Sequence, residues 1–125
     1  MDMETKHLLE ESQSWVQDQL KGSVAFWLEH GMDKENGGIY TCLDRKGEIY
    51  STDKSVWMQG RCAWTFAYLC AVYGPREEWL AASKSCLDLM EAHCIHRAAG
   101  NRMYFTDPGD GKPLRQRRYC FSEGF

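Results

Sequence analysis

One arginine stands out among the residues of this sequence that could do chemistry. Arg61 carries the single formal charge in residues 55–73, a run of nineteen residues that is otherwise rich in apolar and aromatic side chains. On a helix it shares a face with Trp57, Trp64 and Tyr68. A buried guanidinium without an anion is costly, so it needs a carboxylate partner or a negatively charged ligand group. Arg61 therefore predicts either a structural ion pair or a contact with charge that develops on a substrate.

Trp57 and Glu123 complete the set of candidate substrate-binding residues. Trp57 precedes Arg61 by one helical turn, and its ring either covers the apolar face of a sugar or fills the core. Glu123 lies in Phe-Ser-Glu at the start of a second apolar segment, where it either pairs with Arg61 or contacts substrate. Tyr50 and Lys54 precede the apolar run, and they line the same site unless Lys54 lies in solvent.

The histidines and cysteines do not form a recognisable metal site. His7 is expected on the surface and His30 at a helix C-terminus, where the helix dipole favours it. No two of the six cysteines form a Cys-x-x-Cys pair, so we expect free thiols that are mostly buried. A metal reading rests on His93, Cys94 and His96 alone, whereas structural zinc needs four ligands.

Composition and charge exclude several classes of protein. The net charge is −3, with 43% hydrophobic and 26% charged residues, which is typical of a globular protein without a nucleic-acid surface. Residues 55–73 approach the length of a membrane span, but Gln59, Gly60 and Arg61 at their centre favour a core helix, in which Gln59 and Gly60 serve packing. The N-terminus lacks the basic and apolar regions of a signal peptide, so we expect a cytoplasmic protein with neither membrane nor nucleic-acid partners.

The hydrophobic pattern predicts an alternation of outer and buried helices. One-faced periodicity indicates amphipathic helices over about residues 5–30 and 76–96, and residues 55–73 are apolar on all sides, as in a fully buried helix. Turn-rich segments with short strand-like runs, over 39–50 and 100–113, predict hairpin connections. A further apolar segment opens at residue 119, so we expect two helix–hairpin–helix units, each with one amphipathic and one buried helix, that begin a repeating α/α arrangement.

Four segments carry a resemblance to a known family. Residues 26–33, 36–41 and 54–61, the last reading Lys-Ser-Val-Trp-Met-Gln-Gly-Arg, resemble the N-acylglucosamine 2-epimerase family, also called renin-binding protein. Residues 111–125 match its Gly-Lys-Pro-Leu turn and its Arg-Arg-Tyr-x-Phe-Ser-Glu-x-Phe segment. The resemblance implies an all-α fold that starts an (α/α)6 toroid with short β-hairpin connections. Residues 1–125 are then an N-terminal fragment, about the first third, of a single domain.

The resemblance also implies an activity. Family members interconvert N-acetylglucosamine and N-acetylmannosamine by removing and returning the C2 proton, which makes them isomerases. Their proton-transferring histidines lie in later helices, so we expect no catalytic residue here and no activity from this fragment alone. The motif Trp-x-Gln-Gly-Arg assigns substrate binding to Arg61, with Trp57 and Glu123 beside it. The alternatives are a related mannose isomerase or cellobiose 2-epimerase, or a non-catalytic truncated protein that binds renin.

Cofactors and partners follow from the same resemblance. An N-acyl amino sugar is the expected small-molecule partner. The fragment is expected to need no cofactor, whereas the full-length protein is expected to be regulated by ATP and to form a homodimer. The sequence contains no glycine-rich phosphate loop.

Overall fold

Three helices form the body of the protein. The computed structural model describes residues 2–104, 106–107 and 124. The helices are α1 (Met3–Phe26), α2 (Val56–Tyr73) and α3 (Glu77–Leu89). Single π-helical turns, Trp27–Gly31 and Met90–Cys94, follow α1 and α3, and a 3₁₀ turn spans Arg97–Ala99. The predicted order of helices is confirmed over the described residues.

Local signals explain where the helices begin and end. Asp2 caps α1, because its Oδ1 accepts the Thr5 N–H at 2.8 Å. Gly74, with φ of +93°, ends α2 in a backbone conformation that suits glycine. Pro75 follows it and cannot continue the helix, so α3 begins only two residues further on.

The connections contain three two-stranded antiparallel sheets. Their strands are β1 (Cys42–Leu43), β2 (Ile49–Ser51), β3 (Lys54–Ser55), β4 (Ile95–His96), β5 (Arg102–Met103) and β6 (Thr106–Asp107). β1 pairs with β2 and β4 with β5, as hairpins do, while β3 pairs with β6. The pairing of β3 with β6 joins the connection after α1 to the connection after α3.

The two outer helices end in the same way. After α1, the Tyr40 N–H donates to the Gly31 carbonyl at 2.8 Å. After α3, the Tyr104 N–H donates to the Cys94 carbonyl at 2.9 Å. In both places a π-helical turn follows the helix. The chain then reverses and pairs antiparallel with the residues just after that turn. The first unit and the beginning of the second are therefore alike, while the second buried helix of the predicted arrangement falls at residues 119–125, of which the structure describes only residue 124.

The core lies between α2 and α3, with the C-terminal half of α1 packed against it. Its buried members are Ile39, Cys62, Ala63, Phe66, Leu69, Trp79, Ala82 and Cys86. In the described chain α2 keeps one exposed face, with Trp64 60% and Tyr68 54% exposed, and its burial on all sides stays a prediction for the complete domain. These two rings stack on each other along the helix, with centroids 4.9 Å apart. Among the described residues, no helix is long and apolar enough to span a bilayer.

A buried glutamine attaches the first connection to α2. The Gln59 amide accepts the Ile39 N–H and donates to the Ile39 carbonyl, both at 2.8 Å. Gln59 has no exposed surface. Its side chain therefore satisfies both backbone groups of a buried residue, as a neighbouring strand would. The sequence predicts only a packing role for Gln59, because the partner lies twenty residues away.

Replacing Gln59 by leucine is expected to destabilise the fold, because it orphans the buried N–H and carbonyl of Ile39. Each orphaned group costs about 1–3 kcal/mol in the free energy of unfolding. Urea titrations followed by circular dichroism measure the loss, with Gln19→Leu on the exposed face of α1 as the matched control. Equal stability of the Gln59→Leu variant and the unchanged protein would show that the hydrogen bonds between Gln59 and Ile39 do not stabilise the fold.

Candidate substrate site at the N-terminal end of α2

The two ends of the helical layer differ in the connections they carry. The connection from α1 to α2 includes β1, β2 and β3, whereas α2 and α3 are joined by only three residues, Gly74–Arg76. The β3–β6 pairing brings the next connection to the N-terminal end of α2 as well. Several chain segments therefore meet at this end. Binding residues are usually carried by such connections on a rigid scaffold.

Arg61 and Trp57 lie together near this end of α2. The Arg61 guanidinium lies over the Trp57 ring, with Cζ 5.7 Å from the ring centroid, which is a cation–π geometry. Both side chains are exposed in the described chain, so the premise that Arg61 is a buried guanidinium is wrong. The stacking keeps the cation beside a flat apolar surface. Glu123, the third predicted residue, lies outside the described residues.

A cavity opens beside this pair. Its volume is about 280 Å³, and it lies between α1, the first connection and α2. Its walls include Trp27, Tyr40, Thr41, Met58, Arg61 and Thr65. The volume is close to the lower limit of about 300 Å³ for small-ligand pockets. The lining combines one cation, Arg61, and several hydroxyl side chains with apolar walls, which is suited to a small polar ligand with an apolar face.

A buried ion pair holds the start and the end of the first connection together. Lys54 Nζ lies 2.7 Å from Asp33 Oδ2 and also donates to the Gly37 carbonyl at 2.7 Å. The side chains of Lys54 and Asp33 are 0% and 1% exposed. Lys54 therefore neither lines the site nor lies in solvent, which corrects both predictions made for it. Lys54 immediately precedes Ser55, the N-cap residue of α2. The ion pair therefore fixes the backbone just before this helix begins.

The surroundings of Asp33 favour its charged form. Burial alone raises the pKa of this carboxyl, but the backbone N–H of Asn36, the Lys54 ammonium and the backbone N–H of Glu35 outweigh it and hold the pKa well below its usual range. Burial and a hydrogen bond to Asp33 raise the pKa of Tyr40. The Lys54 ammonium lies 5.3 Å from the centroid of the Tyr40 ring. The pair thus also positions Tyr40 in the cavity wall.

Comparison with known proteins identifies the family. Residues 6–125 match the profile of the N-acylglucosamine 2-epimerase (GlcNAc 2-epimerase) family. The chain belongs to this family. It is 36% identical to the N-acylglucosamine 2-epimerase of Homo sapiens over 132 residues, which cover 99% of this chain and 30% of the human protein. It is 25% identical to the cellobiose 2-epimerase of Bacteroides fragilis over 103 residues, 82% of this chain and 26% of that protein.

Solved structures of sugar epimerases have the same fold. The cellobiose 2-epimerase from Spirochaeta thermophila superposes with a TM-score of 0.77 at 23% identity, over 91% of this chain and 28% of that one. These neighbours are epimerases of the (α/α)6 toroid type, which confirms the predicted fold class. The chain spans less than a third of the length of the relatives it matches.

The residues of the family motif can be recognised in the sequence, whereas the roles of the buried residues Lys54 and Asp33 cannot. Arg61 and Trp57 stand in the epimerase motif, and the structure brings them together as predicted from their spacing of four. The roles of Lys54 and Asp33 were missed. Residues 33–38, Asp-Lys-Glu-Asn-Gly-Gly, do show a turn signature in the sequence. In the structure, Asp33 Oδ1 accepts the N–H groups of Glu35 and Asn36. Its pairing with Lys54 across 21 positions leaves no local signal.

The Asp33–Lys54 pair predicts a specific acid sensitivity. The folded pKa of Asp33 lies below its unfolded value of about 3.9, so the unfolded state binds more protons in acid. The stabilisation is therefore fully present well above pH ~4 and is lost as the pH falls through ~4 towards the folded pKa. Asp33→Asn is expected to cost about 3–5 kcal/mol at pH 7, because it leaves the buried ammonium uncompensated.

Urea unfolding at neutral and acidic pH checks this expectation. The double variant Asp33→Leu with Lys54→Met, which removes both charges, is expected to recover much of the stability at pH 7 and to lose less on acidification. Asp18→Asn, on the exposed surface of α1, is the matched control. A single Asp33→Asn variant with the stability and acid response of the Asp18→Asn protein would exclude a structural role for the pair.

Proposed function

We propose that this chain forms part of the sugar site of an N-acyl-D-glucosamine 2-epimerase, an isomerase that interconverts N-acetylglucosamine and N-acetylmannosamine. The observation that carries the proposal is the Arg61 guanidinium stacked on Trp57 at the N-terminal end of α2. Membership of the family and 36% identity to the human N-acylglucosamine 2-epimerase support it.

The reaction needs three kinds of group. After the sugar ring opens, a base removes the proton next to the C1 aldehyde, an acid returns a proton to the opposite face, and a donor stabilises the enediolate oxygen between these steps. Arg61 suits the third role, because a guanidinium stays charged and offers a planar fork of donors. Trp57 holds one face of the guanidinium and presents its own ring edge and face to the apolar side of the sugar.

The acid and the base are proposed to lie outside this chain. His7 pairs with Glu11 on α1, the His30 ring contacts the Phe26 ring at a tilt, and His96 stacks on Tyr104. His7 and His30 therefore lie at the surface and at the helix end, as predicted for them, whereas His96 lies in β4. Glu123 is proposed either to pair with Arg61 or to contact the sugar. On this basis, residues 1–125 supply walls and a cation, and they do not catalyse epimerisation alone.

A second candidate is a cellobiose 2-epimerase. The relative in Bacteroides fragilis favours it, since that protein is a cellobiose 2-epimerase. The higher identity to the human N-acylglucosamine 2-epimerase, 36% against 25%, favours the amino-sugar substrate. Mannose isomerisation, renin binding, a homodimer, regulation by ATP and a cytoplasmic location are further expectations of the family resemblance.

Arg61→Lys is expected to lower kcat/KM for N-acetylmannosamine by on the order of ten- to a thousandfold in a protein that contains the complete domain, because lysine keeps the charge but loses the fork. Incorporation of solvent deuterium at C2 measures the proton-transfer step directly. Arg45→Lys, in an exposed turn, is the matched control. The proposed role of Arg61 fails if Arg61→Lys unfolds the protein while the remaining folded molecules keep full activity.

Residues 1–125 alone are expected to give no deuterium exchange at C2. Exchange by this chain alone would overturn the proposal that the acid and the base lie outside it.

Trp57→Leu separates a sugar platform from a packing residue. Trp57 is 36% exposed, so we expect KM for N-acetylmannosamine to rise about two- to tenfold through loss of the aromatic face, with little change in melting temperature. Trp15→Leu, at an exposed position of α1, controls for the general effect of removing an indole. A melting temperature lowered by several degrees with unchanged KM would instead assign Trp57 to the core.

A further inference from the structure

A second cleft lies at the opposite end of α2 from Arg61. Its volume is about 610 Å³, and its walls come from α1, the last turns of α2 and the first turn of α3. The floor is apolar and includes Leu20, Val24, Leu28, Leu69 and Trp79. Three successive helices of this chain enclose it. Its size falls within the range of about 300–1,000 Å³ for small-molecule sites.

Trp79 leaves a hydrogen-bond donor unused in the wall of this cleft. The residue is only 7% exposed, and its Nε1 is buried without a hydrogen-bond partner among the described residues. Buried indole N–H groups usually have an acceptor, because an unpaired one loses its hydration without compensation. The wall therefore contains a donor that a bound acceptor would satisfy.

Two cationic side chains line the same cleft. The exposed Arg76 guanidinium lies over the Trp79 ring, with Cζ 4.5 Å from the centroid. Lys21 lines the α1 side of the cleft. The N-terminal end of α3 adds a partial positive charge, and Arg76 provides no side-chain cap there. Glu29 and Glu78 also line the cleft, so the formal charges balance and recognition of an anion depends on the short-range donors.

We propose that this cleft binds an amphiphilic monocarboxylate. The hydrocarbon part lies on the apolar floor, and the carboxylate accepts hydrogen bonds from the Trp79 N–H and the Arg76 guanidinium. Because the N–H is buried, we infer that side chains around the Trp79 ring shift as the ligand enters. The proposal concerns the end of α2 away from Arg61 and does not depend on the epimerase activity.

Octanoate, used well below its micelle concentration, is the probe, and the 125-residue chain is the protein. In ¹H–¹⁵N spectra the indole resonance of Trp79 is assigned by its absence from the Trp79→Phe variant. Saturable octanoate binding is expected to move this resonance downfield, as a new hydrogen bond does. Octanol, which has the same hydrocarbon tail but no charge, is expected to bind at least about tenfold more weakly than octanoate.

Variants distinguish the donors from the apolar floor. Arg76→Gln is expected to weaken octanoate binding about tenfold while binding octanol unchanged, and Trp79→Phe, which also removes part of the apolar floor, is expected to weaken octanoate binding about tenfold more than octanol binding. Lys84→Gln, on the outer face of α3, is the matched control and is expected to change neither. Equal affinity for octanoate and octanol, or an unmoved Trp79 resonance at saturation, overturns the proposal. If Trp79→Phe does not fold, Arg76→Gln and the Trp79 resonance of the unchanged chain decide it.

Discussion

The ion pair between Lys54 and Asp33 ties together the two ends of a connection more than twenty residues long, and the geometry at the N-terminal end of α2 depends on it. Asp33 follows the π-helical turn after α1, and Lys54 immediately precedes the cap of α2. The two charges are 2.7 Å apart and almost fully buried. Their attraction offsets the cost of removing both from water only when further hydrogen bonds satisfy the remaining donors and acceptors. Here the carboxylate also accepts two backbone N–H groups and the ammonium also reaches the Gly37 carbonyl.

A second buried polar contact extends this anchoring from the connection to the helix. Gln59 pairs with both backbone groups of Ile39, and the Gly38 N–H donates to Ser85 Oγ on α3 at 2.9 Å. Gly38 has φ of +74°, and a Cβ at this position would collide with Gln59 and with Leu89. A glycine is thus required both by the backbone conformation and by the close approach of two helices. The same first connection supplies Tyr40 and Thr41 to the cavity beside Arg61.

The two faces of α2 have different physical roles. One face enters the core with α3, while the other presents Trp57, Arg61, Trp64 and Tyr68 as an exposed row. This row is the surface of α2 that no described element of the chain covers. Stacking within the row, between Arg61 and Trp57 and between Trp64 and Tyr68, keeps the large side chains ordered along the helix.

The sequence by itself determined the helices, their order and the residues of the motif. Hydrophobic periodicity, Asp2 as a cap and Gly74-Pro75 as a stop are local signals that act within a few residues, and the spacing of four between Trp57 and Arg61 places them on one face of any helix. Tertiary structure decided what is buried. Lys54 and Gln59 read as polar residues near a helix start, and only the return of the chain from α1 provides Asp33, Gly37 and Ile39 as their partners. The same dependence on distant neighbours applies to α2, because the apolar pattern of a helix shows which surfaces can be buried but not which elements cover them.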